Sequence, residues 1–202
     1  MRVLKFILLA ASLAGSQALV AQTSPVPMLE HAANGIIATL KANKSSLKSN
    51  QSIIYRAVET NLLPNVDVVG MSRSVLGRQA WNKASASEKS RFADAFTRLV
   101  IRTYSSPLAE YSDETIQFLP VRGSLSSRFI RVNSVIVRSQ GQNIPLSYSL
   151  VAKSGQWKIY DMSVEGVSLL QSFRSQFAQA LKNSNINDVI EQMKKQQSKK
   201  AA

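Results

Sequence analysis

Two carboxylates four residues apart, Asp161 and Glu165 in "WKIYDMSVEGVSLL" (residues 157–170), stand out in a chain poor in acids. A hydrolytic pair needs one carboxyl with a raised pKa and a site between the two groups. Nothing beside these two signals such a difference. An acid at the start of a helix, by contrast, favours the helix dipole and accepts from free backbone N–H groups. Gly166 suits a tight joint between strand and helix. The pair reads as a catalytic dyad or as such a joint, and its surroundings favour the joint.

The remaining reactive residue types are sparse. The single histidine, His31, lies in an amphipathic segment and reads as structural or exposed. There is no cysteine, so disulfides, thiol nucleophiles and thiolate metal sites are excluded. "GMSRS" and "GSLSS" are not G-x-S-x-G, and no H-E-x-x-H, calcium loop or glycine-rich phosphate loop occurs. No catalytic residue, metal ligand set or cofactor is expected, which favours a binding protein.

Lys and Arg number 25 against 12 Asp and Glu, a formal charge of +13 over 202 residues. "MRVLKFILLAASLAGSQA" reads as a secretory signal peptide: Arg2 and Lys5, then a short apolar run, then small residues at Ser16 and Ala18. Cleavage is expected after Ala18, with Ala21 as the second choice. The apolar run is too short to span a bilayer, and no lipid-accepting cysteine follows it. Cleavage after Ala18 leaves a chain of +11. An exported, soluble, basic protein is expected to meet anionic membranes or acidic proteins rather than nucleic acid. Arg128, Arg131 and Arg138, on one strand region, read either as part of a solvated basic surface or as the border of a partner or lipid head-group site.

These residues need elements to position them. Residues 28–63 carry a helical pattern (Ile36, Ile37, Leu40, then Ile53, Ile54, Ala57, Val58) broken by the polar "KANKSSLKSN". "VDVVGMSRSVLG" reads as a short helix or a bent loop. Ser85 and Glu88 form a capping box. Phe92, Ala95, Phe96, Leu99, Val100, Thr103 and Tyr104 then repeat at helical spacing, with a kink or second short helix at Pro107. After Asp113 the period changes to two. "TIQFLPV", "RFIRVNSVIVRS", "IPLSYSLVAK" and "WKIYDMSV" read as four strands, the last three an antiparallel meander. Pairing Ile136 with Leu146 and Val132 with Leu150 brings the apolar faces together. In the next hairpin a Ser154-Gly155 turn puts Trp157 and Ile159 on that face; one more loop residue puts Tyr160, Met162 and Val164 there. Val167, Leu170, Phe173, Phe177 and Leu181 read as a helix, and Ile186, Val189, Ile190 and Met193 as a last short one. The parts are a signal peptide (1–18), one α+β domain (22–193) and a basic flexible tail (194–202).

Trp157, Tyr160, Asp161, Met162, Glu165, Gly166, Val167 and Ser168 resemble a segment of the MlaC family, W-x-x-Y-D-[MV]-x-x-E-G-[VI]-S. The stretch from "NLLPNVDVVG" to "SSPLAEY" is similar to the family as well, in its V-L-G, its helix start and its F-x-x-x-F-x-x-L-[VL] stripe. The resemblance implies an antiparallel meander of about four strands with helices packed on it, enclosing a deep apolar pocket. It implies a periplasmic phospholipid carrier with no enzyme activity and no cofactor, phospholipid being cargo. The implied partners are an inner-membrane lipid ABC transporter complex and an outer-membrane lipoprotein complex. Asp161 and Glu165 then become joint residues pinning the last strand to the C-terminal helix. Expected pocket residues are Phe96, Val100, Tyr104, Leu146, Tyr148, Leu150, Met162, Val167, Leu170 and Phe173. Two other readings remain. An enzyme on a similar cone-shaped scaffold requires polar groups converging at the pocket floor, with Tyr104, Tyr148 and Asp161 as candidates. A non-carrier adaptor requires a filled core.

Overall fold

The computed structural model describes residues 23–181 and 184–199. The expected signal peptide and residues 200–202 lie outside them. The chain runs α1 (Val26–Ala42), α2 (Ser52–Asn61), α3 (Val68–Leu76), α4 (Arg78–Lys83), α5 (Ala86–Ala109), β1 (Thr115–Phe118), β2 (Phe129–Val137), β3 (Ile144–Lys153), β4 (Gln156–Val164), β5 (Val167–Ser168), α6 (Leu169–Leu181) and α7 (Ile186–Lys199). The fold is α+β, as the period change after Asp113 predicts.

The polar break in the first helical region becomes a short 3-10 turn, Lys44–Ser46, followed by the fully buried Leu47. Helices α1 and α2 meet closely: a Cβ at Gly35 would lie 2.0 Å from Asn61 Oδ1. "VDVVGMSRSVLG" is helical, capped by Asp67, whose Oδ1 accepts from Gly70 N–H (3.0 Å). The capping box forms at α5: Ser85 N–H donates to Glu88 Oε2 (2.8 Å) and Glu88 N–H to Ser85 Oγ (3.2 Å). Helix α5 is a single element that includes Pro107. The ring lies in the last turn, where it removes only the bond to the Thr103 carbonyl.

The sheet order is β1-β2-β3-β4-β5, every pair antiparallel. It has a fifth strand beyond the four expected, because Glu165 and Gly166 (φ 51° and 82°) make a two-residue turn that folds Val167 back on Val164. Helix α6 therefore begins at Leu169 rather than at Val167. The β2–β3 register also differs from expectation. Ile136 pairs with Ile144, and Val132 with Tyr148. This slip of two residues leaves every side chain on the expected face, so apolar matching alone cannot detect it. The loop fixes it instead: Arg138 N–H donates to Asn143 Oδ1 (3.2 Å) and Gly141 takes φ 82°.

The β3–β4 hairpin follows the first alternative before a bulge and only part of the second after it, because Tyr160 turns to the other face, against Phe129. The Ser154-Gly155 turn pairs Ala152 with Trp157 and Leu150 with Ile159. A bulge then inserts Tyr160, and the ladder resumes with Ser149 opposite Asp161 and Tyr148 opposite Met162. Trp157 and Ile159 before the bulge, and Met162 and Val164 after it, thus lie opposite the apolar face of β3.

Three apolar clusters form. One is helical, from α3, α5, α6 and α7, around Phe92, Phe96, Phe173 and Phe177. One covers the sheet, around Val132, Leu150 and Ile159, with Leu29 of α1. The third joins Leu40, Leu47 and Ile54 to Ala109 and Tyr111. Helix α7 continues through Lys194–Lys199, where the sequence reads as tail.

Candidate functional site

The helical and sheet clusters meet along a seam, with Val66 packed against both. A narrow cavity of about 70 Å³ lies there. Val58 and Leu62 line it from the end of α2, Leu63, Val66, Val68 and Met71 from the following segment, and Phe96, Thr97, Val100 and Ile101 from α5. Ile159, Met162 and Leu169 complete it from β4 and the start of α6. Thr97 is the one lining residue with a polar side chain. The volume is well below the roughly 300–1,000 Å³ of small-molecule pockets.

Polar contacts hold the walls in place. Asp67 N–H donates to Ile159 O (2.8 Å) and Lys158 Nζ to Pro64 O (2.7 Å), and Lys153 pairs with the Asp67 carboxylate. Segment 62–71 is thereby fastened along β4. Gly70 leaves room for that carboxylate: a Cβ there would come within 2.1 Å of Asp67 Oδ2 and displace it.

Asp161 fastens the other end. Its Oδ1 accepts from Leu170 N–H (3.0 Å) and its Oδ2 from Ser168 Oγ (2.6 Å), and Ser168 Oγ in turn accepts from Gln171 N–H (3.0 Å). This carboxylate satisfies the Leu170 donor in the first turn of α6, holds the Ser168 hydroxyl that satisfies Gln171, and ties that turn to β4. Glu165 does not share the role. It is exposed in the β4–β5 turn, and its backbone N–H donates to Pro145 O (2.9 Å).

Of the ten expected pocket residues, Phe96, Val100 and Met162 line the cavity. Phe173 is buried in the helical cluster, with Leu170 and Tyr104 packed against it. Leu146, Tyr148 and Leu150 belong to the sheet cluster. Val167 is 60% exposed on β5. The lining missed by sequence reasoning is mainly segment 62–71, which supplies five of the thirteen residues. Its signal was the apolar pairs Leu62-Leu63 and Val68-Val69 astride Pro64 and Asp67.

The groups an enzyme would need do not converge. Tyr148 sits in the sheet cluster, Tyr104 against the helical one, and Asp161 is engaged as a cap. Burial pushes both phenols above their ordinary pKa. The Ser134 hydroxyl pulls Tyr148 the other way, but Ser134 Oγ makes no well-formed hydrogen bond, so burial decides the sign. Among the described residues no cluster of three His, Cys, Asp or Glu is placed to hold a metal. A larger open hollow, about 280 Å³, lies around Thr23–Pro25 and Gly155–Lys158. Its walls are chiefly polar, and Trp157 Nε1–H donates to Thr23 O there (2.8 Å).

Helices facing one antiparallel sheet across an apolar seam define an α+β protein whose distinctive inner surface is apolar. Comparison with known proteins makes this specific: the chain belongs to the MlaC protein family, whose model matches residues 30–195. It is 31% identical over 170 residues to the toluene tolerance protein ttg2D of Pseudomonas putida, covering 84% of this chain and 78% of that one. It is 29% identical over 177 residues to the intermembrane phospholipid transport system binding protein MlaC of Haemophilus influenzae, covering 86% and 82%. The fold matches a phospholipid-binding protein from Ralstonia solanacearum, solved with a phospholipid, at TM-score 0.80 and 23% identity, over 90% of this chain and 99% of that one.

Proposed function

We propose that this protein is a periplasmic phospholipid carrier. It holds acyl chains between the helical and sheet clusters and moves lipid between an inner-membrane lipid ABC transporter complex and an outer-membrane lipoprotein complex. The observation that carries the reading is the seam itself: thirteen lining residues, one polar side chain, between two separate cores. Family membership and the names of the relatives support it. Having a cluster on each side matters because the walls can part along the seam, each giving up some of its buried surface to cargo. The cavity of about 70 Å³ must widen to admit an acyl chain. Phe96, Val100, Tyr104, Leu146, Tyr148, Leu150, Met162, Leu170 and Phe173 are then the surfaces exposed to cargo, with Val167 at the rim.

Burial of methylenes contributes about 0.8 kcal/mol each, so two acyl chains gain on the order of 20 kcal/mol gross, before ordering costs. No chemical step is needed, and none is assigned to any residue. Such a cargo leaves slowly into water, so unloading requires a receptor that is equally apolar.

Native mass spectrometry of the protein from a periplasm, followed by denaturing analysis of what is released, tests this. Intact diacyl phospholipids are expected. A bare mass that takes up nothing from added vesicles overturns the carrier reading and favours an adaptor.

A further inference from the structure

The sheet has a second face; on it Ser149 and Val151 of β3 are buried and Asp161 of β4 reaches the first turn of α6, but the part formed by β1 and β2 is open. Along β2 burial alternates strictly at first: Ile130, Val132 and Ser134 are buried, while Phe129, Arg131 and Asn133 are exposed. Leu119 lies opposite Asn133, its N–H donating to Asn133 O (2.9 Å), and joins that exposed row. Leu119 and Phe129 are 45% and 54% exposed, two large apolar side chains about 13 Å apart along the strand. Phe129 is held in position. The Tyr160 ring meets it edge-on at 5.7 Å, and the Arg128 guanidinium stacks over it at 5.5 Å.

The charge on this part of the chain is one-sided. Residues 115–164 contain six basic residues and one acid, Asp161, whose carboxylate caps α6. Arg138 pairs with Glu114, Lys153 with Asp67, and Lys158 bonds Pro64 O. Among the described residues Arg128 and Arg131 have no carboxylate partner. Two unpaired arginines around a rigid exposed aromatic are the chemistry of a surface that rests in an anionic lipid interface.

We propose that this face, centred on Arg128, Phe129 and Arg131, docks the protein on an anionic bilayer. Phe129 enters the head-group region while the arginines pair with lipid phosphates. Docking here is independent of cargo: it uses the sheet face opposite the seam.

Co-sedimentation of the mature protein tests it, with vesicles of phosphatidylcholine and phosphatidylglycerol against vesicles of phosphatidylcholine alone. The protein is expected to pellet with the mixed vesicles only. Arg128→Gln/Arg131→Gln should weaken this on the order of 25-fold, about five-fold per arginine. Arg73→Gln/Arg78→Gln removes equal charge from exposed helical positions and should weaken it far less. Equal weakening by the two pairs, or no pelleting with anionic vesicles, overturns the proposal, the first because it means diffuse attraction by net charge. The Phe129→Trp variant adds a second readout, its emission shifting to the blue on mixed vesicles only; an unshifted emission overturns it as well. Lipid carried into the supernatant reports cargo uptake separately, so failure of docking and failure of the carrier reading give different results.

Discussion

The two walls of the seam are built differently. On the helical side Phe92, Phe96, Phe173 and Phe177 interlock, with centroids 5.4–6.4 Å apart in both stacked and edge-on pairs. Helices α5 and α6 share no backbone hydrogen bonds, so these rings set their spacing. On the sheet side the buried residues are largely aliphatic, with Val132, Leu150 and Ile159 at 0% exposure, and a backbone ladder sets the shape. Removing a ring therefore threatens architecture, whereas trimming the sheet face mainly changes the room in the seam.

The largest expected effect is Phe177→Ala, which empties the centre of the ring cluster and should cost about 3–5 kcal/mol. Calorimetry should show Tm lower by on the order of 10 °C; an unchanged Tm removes the rings as the spacer. Ile159→Ala should cost less, about 2–3 kcal/mol, with the far-ultraviolet spectrum of the sheet intact. A loss larger than that of Phe177→Ala reverses the contrast between the walls.

Smaller effects separate the two carboxylates. Asp161→Ala leaves Leu170 N–H and Ser168 Oγ without their acceptor and should cost about 1–2 kcal/mol in urea unfolding. Asp161→Asn keeps one acceptor and should cost about half that. Glu165→Gln should stay within about 0.5 kcal/mol, and an equal loss at both positions would restore Glu165 to the joint. Smallest is the acid limb of stability. The Ser85 backbone N–H holds the Glu88 carboxyl below its ordinary pKa, aided by the Ser85 hydroxyl and Asn187. A lowered folded pKa gives stability present above the unfolded value and lost as pH falls through the folded one. Glu88→Gln should therefore flatten the fall of Tm between about pH 5 and 3; an unaltered slope denies Glu88 that role.

Much of this was legible in the residues. The period change after Asp113, the Ser85–Glu88 box and the phenylalanine stripe depend on local pattern, and each gave its element. The β2–β3 register was not legible, because a two-residue slip preserves every face. Nor was the choice between the two faces of β4, since a bulge puts Trp157 and Ile159, then Met162 and Val164, on the apolar face and turns Tyr160 to the other. At Glu165-Gly166 the sequence suggested a helix joint, while two left-handed residues in succession made a hairpin. Segment 62–71 was hardest: its place beside β4 depends on contacts with Lys153, Lys158 and Ile159, nearly a hundred residues away.

That segment has a further consequence. Val66 bridges to Ile159 in parallel, and β5 covers the end of β4, so most of the outer backbone row of β4 is hidden from other molecules. The sheet's margins are the four residues of β1, residues 129–132 of β2 beyond the reach of β1, and the two of β5. Each stretch has four residues or fewer, which limits strand addition from a second copy. Concentrated solutions should therefore resist strand-paired aggregation, whatever the seam is holding.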